Sequence, residues 1–402
     1  MPASLGRSQG CTLSTRSGAR QDSPMVVRAV IIGAGIGGLT TAVALARRGI
    51  RTEVYEQASQ LREVGAGVGL WSNAFRALVP LGLYDDARAL TVRPEKVGFR
   101  RFDGKWIFCQ PMEVVEERWG ATFASVHRAE LQQLLARQLE PAALHLGVHC
   151  RGFRDEGGQV RVQFEDEAEV EADVLIGADG VRSVVRRQLF GPAKLSYRGY
   201  RCARGLTPPG AVPLPLDAWE TWGQGLRFGL SPISGGRIIW YACWNGPPGG
   251  DGDDHTKARL LERFGTWLDP IPAAIEATED LSICNDIYDR LPTWTWARGR
   301  VALAGDAIHP MTPDLAQGAC QAILDGVALA NCLADACDVA TGLRAYQKRR
   351  AGNAAMTTLF ARGSASIGQL KGRHSCELRD FAFRTMPVAV QLLQLDLVVG
   401  RP

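Results

Sequence analysis

The chain has 402 residues, 46 % of them hydrophobic and 22 % charged, which suits a folded globular protein of two or three domains. The net charge is only +4, and Arg7, Arg16, Arg20 and Arg28 against Asp22 supply +3 of it, which excludes the basic face of a nucleic-acid binder. No apolar run approaches the roughly 20 residues needed to cross a bilayer, so stable membrane insertion is not expected.

Residues 1–24 are rich in Ser, Thr, Gly and Arg with one acid and no apolar core. That composition fits an organelle transit peptide, plastid or mitochondrial, and equally a disordered extension or a start at Met25. Without a transit peptide the expected location is the cytoplasm. The ten cysteines form no Cys-x-x-Cys, and His309 and His374 have no Cys/His cluster around them. Reduced core thiols and no metal site are therefore expected.

The fold begins at about Val26. Residues 26–32 form a nearly continuous apolar run, as a parallel strand covered on both faces requires. Gly33, Gly35 and Gly38 then complete a G-x-G-x-x-G. The first glycine permits a tight turn, the second lets backbone approach a pyrophosphate, and the third lets the following helix pack against the strand. A helix is expected over 39–48, stopped by Gly49, and a second strand over 52–55 ends at Glu56. Glu56 lies 18 residues beyond Gly38, where a carboxylate accepts hydrogen bonds from a ribose. These residues leave NAD(P) and FAD both open.

Two further apolar strands end in glycine and aspartate: 174–176, followed by Gly177-Ala178-Asp179-Gly180, and 301–304, followed by Gly305-Asp306. A lone carboxylate closing an apolar strand is costly unless hydrogen-bonded, and the hydroxyls of a sugar chain would satisfy Asp306. Between the two, residues 191–292 change to short aromatic and alternating runs. In "RIIWYACWN", Ile238, Trp240, Ala242 and Trp244 share one face and Ile239, Tyr241 and Cys243 the other. Hairpin turns are expected at Gly235-Gly236 and at Asp103-Gly104, the latter within 97–110. The acids of "PPGGDGDDH" (247–255) read as a solvated loop. Helical spacing follows over 315–336 and 343–350, and 376–402 reads as an amphipathic helical tail for which packing on the domain and membrane-surface contact are both open.

The motifs at 33–38, 177–187 and 301–318 occur in the order found in the FAD-dependent aromatic hydroxylases, the single-component flavoprotein monooxygenases, and from about Val26 onward the chain resembles that family. The resemblance implies an α/β fold: a doubly wound, Rossmann-like FAD-binding domain with an inserted antiparallel β-sheet substrate domain and a helical C-terminus. Its expected parts are an extension over 1–25, FAD-binding segments over 26–95, 116–190 and 293–360, sheet segments over 96–115 and 191–292, and a helical segment over 361–402.

The resemblance further implies that Glu56 binds ribose and that Arg128, in "HRAELQQLL", lies beside the cofactor. It places Asp179 with Gly180 at a position shared by FAD and a passing nicotinamide, Asp306 on the ribityl chain, and Gly318 at a helix start facing the flavin ring. Arg204, in "RGYRCARGL", is expected to point into the chamber. Pro310 shapes the flavin-facing loop, and His309 is the candidate base, with a structural role as the alternative. The family pattern has Asn where Asp314 stands, and an acid pair near Leu324-Asp325.

The implied reaction is oxygen insertion: NAD(P)H reduces the flavin, O2 adds to it, and one oxygen atom passes to a small aromatic, heteroaromatic or conjugated substrate. A reductase of the geranylgeranyl-reductase type and a non-catalytic flavin sensor are the alternatives. Monomer and homodimer both stay open.

Overall fold

Apolar runs far apart in sequence become neighbouring parallel strands. The computed structural model describes residues 27–61, 67–250, 253–281 and 283–400, so the extension discussed as a transit peptide lies outside the described residues. Strands Val301–Leu303, Val174–Gly177, Arg28–Ile32, Arg51–Glu56 and Leu144–Leu146 lie side by side in that order, all parallel, with Ala297–Arg298 as an antiparallel edge. Ala29, Val30 and Ile31 are fully buried, as the unbroken apolar run requires.

The register decides where the motifs land. Ile32 is paired with Gly177 on one side and with Tyr55 on the other, and Gly177 is paired with Leu303. The residues that follow these strands therefore emerge together at one carboxyl edge of the sheet. Ligands of open α/β sheets bind in the crevice at such an edge.

Helix Ile36–Arg47 follows the first strand, and Gly49, at φ +75°, ends it in the left-handed conformation that glycine tolerates. Against it packs helix Gly318–Ala334, so tightly that a Cβ on Gly326 would stand 2.8 Å from the Thr41 nitrogen. Both helices start at the same edge of the sheet as the motif loops.

The second layer is a seven-stranded sheet in the order Cys284–Asp289, Ser196–Leu206, Arg237–Asn245, Leu226–Ile233, Ala218–Trp222, Lys96–Arg101, Trp106–Pro111. It contains the two hairpins expected from the sequence. Gly235 and Gly236 turn the longer one, both at positive φ, and Gly104 turns the other at φ +85°. The alternation of "RIIWYACWN" divides as expected. Trp240, Ala242 and Trp244 enter a core with Phe228, beneath helices Lys257–Phe264 and Ile271–Ala277. The Trp240 ring stacks 5.2 Å from that of Phe228 and its Nε1 donates to Thr278 Oγ1 at 2.8 Å, so its one polar atom is satisfied. Such a buried aromatic contributes on the order of 2–3 kcal/mol. Tyr241 and Cys243 face the other way, toward Tyr200 and Cys202.

One reading is corrected and another is extended. Asp254, taken from its loop as solvated, is buried: its Oδ2 pairs with Arg201, and His255 and Cys284 stand beside it. The Arg201 guanidinium supplies the charge that this carboxylate needs once it leaves water. The helical pattern seen over 343–350 is part of one helix, Val339–Gly368. The tail is a bent pair, Arg373–Thr385 and Val388–Leu395, closed by a wider turn over Asp396–Gly400. Pro387, which cannot continue a preceding helix, stands at the break.

Candidate active site

The glycine loop at the carboxyl edge has two kinds of glycine. A Cβ on Gly33, at φ +102°, would lie 2.4 Å from the Ala178 carbonyl oxygen, and one on Gly38 would lie 1.9 Å from the Gly33 carbonyl oxygen. Those two are required by the protein itself. Gly35 differs: its φ of −68° suits any residue, and a Cβ there would meet no atom within 4 Å. Internal packing does not require a glycine at 35, whereas a phosphate lying against the backbone does.

Glu56 closes the next strand. Its Oε2 accepts from the Ala34 N–H at 2.7 Å and its Oε1 from Ala58 N–H at 2.9 Å, so it is fixed beside the glycine loop. Gln132, from helix Arg128–Ala136, donates to the Ala34 carbonyl at 2.7 Å and draws that helix to the same loop. Arg128, the first residue of the helix, acts electrostatically on Asp306.

Asp306 is accessible to solvent, yet crowding by surrounding protein raises its pKa, with His309 and Arg128 pulling it back. A side chain both accessible and closely surrounded faces into a cleft. The turn that presents it is held from behind. Asp325, buried on helix Gly318–Ala334, accepts from the Gly305 N–H at 2.9 Å and contacts His309 Nε2 at 2.6 Å. Its other oxygen accepts from Arg350 Nε at 2.8 Å. Burial raises the Asp325 pKa, but His309 and Arg350 outweigh burial and the net shift is downward. His309, the candidate base, is thus buried against the Trp296 ring with its Nε2 committed to this carboxylate.

Asp179 is partly used by the protein. Its Oδ2 accepts from Val184 and Val185 N–H at 2.7 and 3.2 Å, which caps helix Val184–Phe190, while its buried Oδ1 has no partner among the described residues. Gly180 follows at φ +77°, with open space where a Cβ would be. Arg290 ties this loop to the next by donating to the carbonyls of Val181 and Ala307 at 3.2 and 3.4 Å, and its own N–H donates to the Pro310 carbonyl at 3.2 Å. Burial, aided by Arg186, lowers the pKa of Arg290 to about 10.

Beyond Pro310 the chain turns through Pro313–Leu315 and passes Ala316, at φ +50°, before Gly318 opens its helix. A non-glycine residue in that region costs about 1 kcal/mol. Gly69 lies close to it, since a Cβ on Gly69 would sit 3.0 Å from that of Ala316. The helices starting at Ile36 and Gly318 have no side-chain cap among the described residues, so both N-termini keep donors for an anionic group.

Asp314 joins this loop to the large sheet. Its Oδ1 lies 2.6 Å from Arg227 Nη1 and its Oδ2 accepts from Tyr200 Oη at 2.6 Å. Arg227 also contacts Glu220 at 3.0 Å, and Tyr241 Oη donates to Glu220 Oε2 at 2.8 Å. All five are buried or close to it, with two carboxylates around one guanidinium. Burial would lower the Arg227 pKa, but Asp314 and Glu220 hold it well above its usual value. Gly229 makes the geometry possible, since a Cβ there would lie 2.1 Å from the Tyr241 ring.

Arg204, expected in the chamber, lies on the sheet face of Tyr241 and hydrogen-bonds Asn285 at 3.1 Å. A second arginine, Arg227, contacts the loop 310–317 through Asp314, and the sequence reading did not single it out. No local pattern marks it within strand Leu226–Ile233, and its distant partner Asp314 is a charge where the family pattern has an amide.

The crossing of strand ends, glycine loop and apposed sheet defines a dinucleotide-binding flavoprotein, and Gly35, Asp179 Oδ1 and Asp306 fit the cofactor. Comparison agrees: residues 26–361 match the FAD binding domain family, and the chain belongs to it, among the FAD-dependent monooxygenases. It is 37 % identical over 361 residues to aurachin C monooxygenase/isomerase of Stigmatella aurantiaca, spanning 89 % of this chain and 94 % of that one. It is 36 % identical over 372 residues to 3-amino-4-hydroxybenzoate 2-monooxygenase of Streptomyces cremeus, spanning 89 % and 92 %. The fold superposes on Klebsiella pneumoniae HpxO complexed with FAD and uric acid with a TM-score of 0.86 at 30 % identity, covering 94 % and 97 % of the two chains.

Proposed function

We propose that this monooxygenase takes its electrons from NAD(P)H and inserts one oxygen atom of O2 into a small aromatic, heteroaromatic or conjugated compound. The substrate lies between the sheet face carrying Tyr241 and the loop 310–317. The Asp314–Arg227 ion pair carries this reading, because it joins the loop beside the cofactor to that sheet face.

Bound FAD supplies the redox chemistry, activating O2 once reduced. The chain binds, orients and excludes water. Glu56 takes the ribose hydroxyls, the N–H groups around Gly35 take the pyrophosphate, and Asp306 and the free oxygen of Asp179 hold the rest of the cofactor. Arg128 balances Asp306. Pro310 and Gly318 shape the loop, and the uncapped helix N-terminus at Gly318 would offer its N–H donors to the bound cofactor. His309 acts as a positioning residue through Asp325 rather than as a base.

On the substrate side, Tyr241 Oη keeps its proton, since burial and Glu220 push its pKa far up, and donates it to Glu220. Arg204, directly across from Tyr241 on the neighbouring strand, lies on the same face. The test is NAD(P)H oxidation by the flavin-loaded protein across ring compounds. One or more should stimulate oxidation, and Tyr241→Phe should change that response while leaving the flavin content intact. Loss of flavin in Tyr241→Phe, or indifference to every ring compound, would overturn the assignment.

A further inference from the structure

The last two helices form a fixed strap with an apolar outer face. Helix Arg373–Thr385 packs inward through Cys376, Arg379 and Asp380, and Phe383 sets its ring edge-on to those of Trp222 and Phe99. Beyond the second helix, Trp119 Nε1 donates to Asp396 at 2.7 Å and Arg76 donates to the Val399 carbonyl at 3.0 Å. Val398 and Val399 are buried beside Leu315 and Ala316 of the flavin-facing loop. The strap is therefore anchored at both ends, and one end shares a hydrophobic cluster with the loop that carries Leu315 and Ala316.

Between these anchors the surface is apolar. Helix Val388–Leu395, "VAVQLLQL", has no charged residue and no buried one. Leu393 is 59 % exposed, and on the preceding helix Leu378 and Phe381, three residues apart and so on one face, are 69 % and 57 % exposed. Lys371 and Arg384 are exposed around this surface, and Arg373 is exposed there too but pairs at 3.0 Å with Glu377, the one exposed acid in either helix, so the rim carries a net positive charge.

We propose that this face docks the enzyme on an anionic membrane surface. An uncharged apolar helix lying flat, edged by cations, is the pattern of interfacial helices that bury one side in the headgroup region and attract acidic lipids. Among the described residues no single helix is long and apolar enough to span a membrane, and the two helices meet at 96°, which suits lying on a surface. A second copy fits less well, because a two-fold dimer through this face would set its cationic rim against the same rim. The proposal goes beyond the catalytic reading and does not depend on the substrate.

The test is co-sedimentation of the flavin-loaded full-length chain with phosphatidylcholine vesicles with and without phosphatidylserine. The protein should pellet with the phosphatidylserine vesicles, less with phosphatidylcholine alone, and be released by salt. Leu378→Glu with Leu393→Glu, both at exposed positions, should weaken binding by at least about tenfold, with the flavin content unchanged. Arg384→Glu should reduce the preference for phosphatidylserine. Wild-type protein that stays in the supernatant overturns the proposal. So does a stable dimer, seen by light scattering, that the double glutamate variant dissociates.

Discussion

Gly35→Ala separates what the glycine loop does for the protein from what it does for the cofactor. The new methyl meets no protein atom within 4 Å, and φ of −68° suits alanine. Reduced chain entropy in the unfolded state favours the variant by about 0.4–1 kcal/mol, and alanine as a helix N-cap is worse than glycine by a comparable amount, so apoprotein stability should hardly move. The methyl would enter the open space where the pyrophosphate is proposed to lie. Overpacking of that kind costs about 1–3 kcal/mol, or roughly 5- to 150-fold in FAD affinity at 1.4 kcal/mol per tenfold. Gly38→Ala is the control, because its methyl would stand 1.9 Å from the Gly33 carbonyl oxygen and should damage the fold itself. The assay pairs thermal unfolding of each apoprotein with titration by FAD. Wild-type FAD affinity in Gly35→Ala, or instability equal to that of Gly38→Ala, would show that Gly35 does not serve the pyrophosphate.

Asp306→Asn should weaken FAD while raising the melting temperature of the apoprotein at neutral pH. The native pKa of Asp306 lies above its unfolded value, so its ionised form opposes folding, and that penalty grows as pH rises through the shifted range. Asp325 has the opposite sign. Its native pKa is lowered, so its contribution is complete above the ordinary value of 3.8 and is lost as pH falls below it. Asp325→Asn should flatten the acid limb of the stability profile in denaturant melts. Arg227→Met leaves Glu220 and Asp314 buried without their cation and should cost about 3–5 kcal/mol in chemical denaturation. Asp314→Asn, which keeps the Arg227–Glu220 pair, should cost only about 1 kcal/mol; an equal cost for both would show that Asp314 is the essential partner.

The cofactor half of the site was readable because its residues follow strands that end in register. Gly33, Gly35, Gly38, Glu56, Asp179 and Asp306 each belong to a short contiguous signal, and the parallel sheet only has to bring the signals together. The buried network on the large sheet was not readable, because no local pattern encodes it. Arg227, Glu220, Tyr241 and Tyr200 come from four strands, and Asp314 from a loop, so only the strand order creates their network. The same holds for Arg290, which stitches two motif loops, and for Arg350, whose Asp325 partner is a helix away. Asp254 was misread for a related reason: a charge beside Gly-Gly-Asp looks solvated until Arg201 is folded against it.

In the proposed reaction one atom of O2 reaches a ring or conjugated substrate on this sheet face. Turnover with isotopically labelled O2, NAD(P)H and a compound that stimulates oxidation tests it most directly, with mass spectrometry of the product. One labelled oxygen atom per product molecule, and none from labelled water, is the predicted result. An unlabelled product, or full yield without O2, would contradict the account.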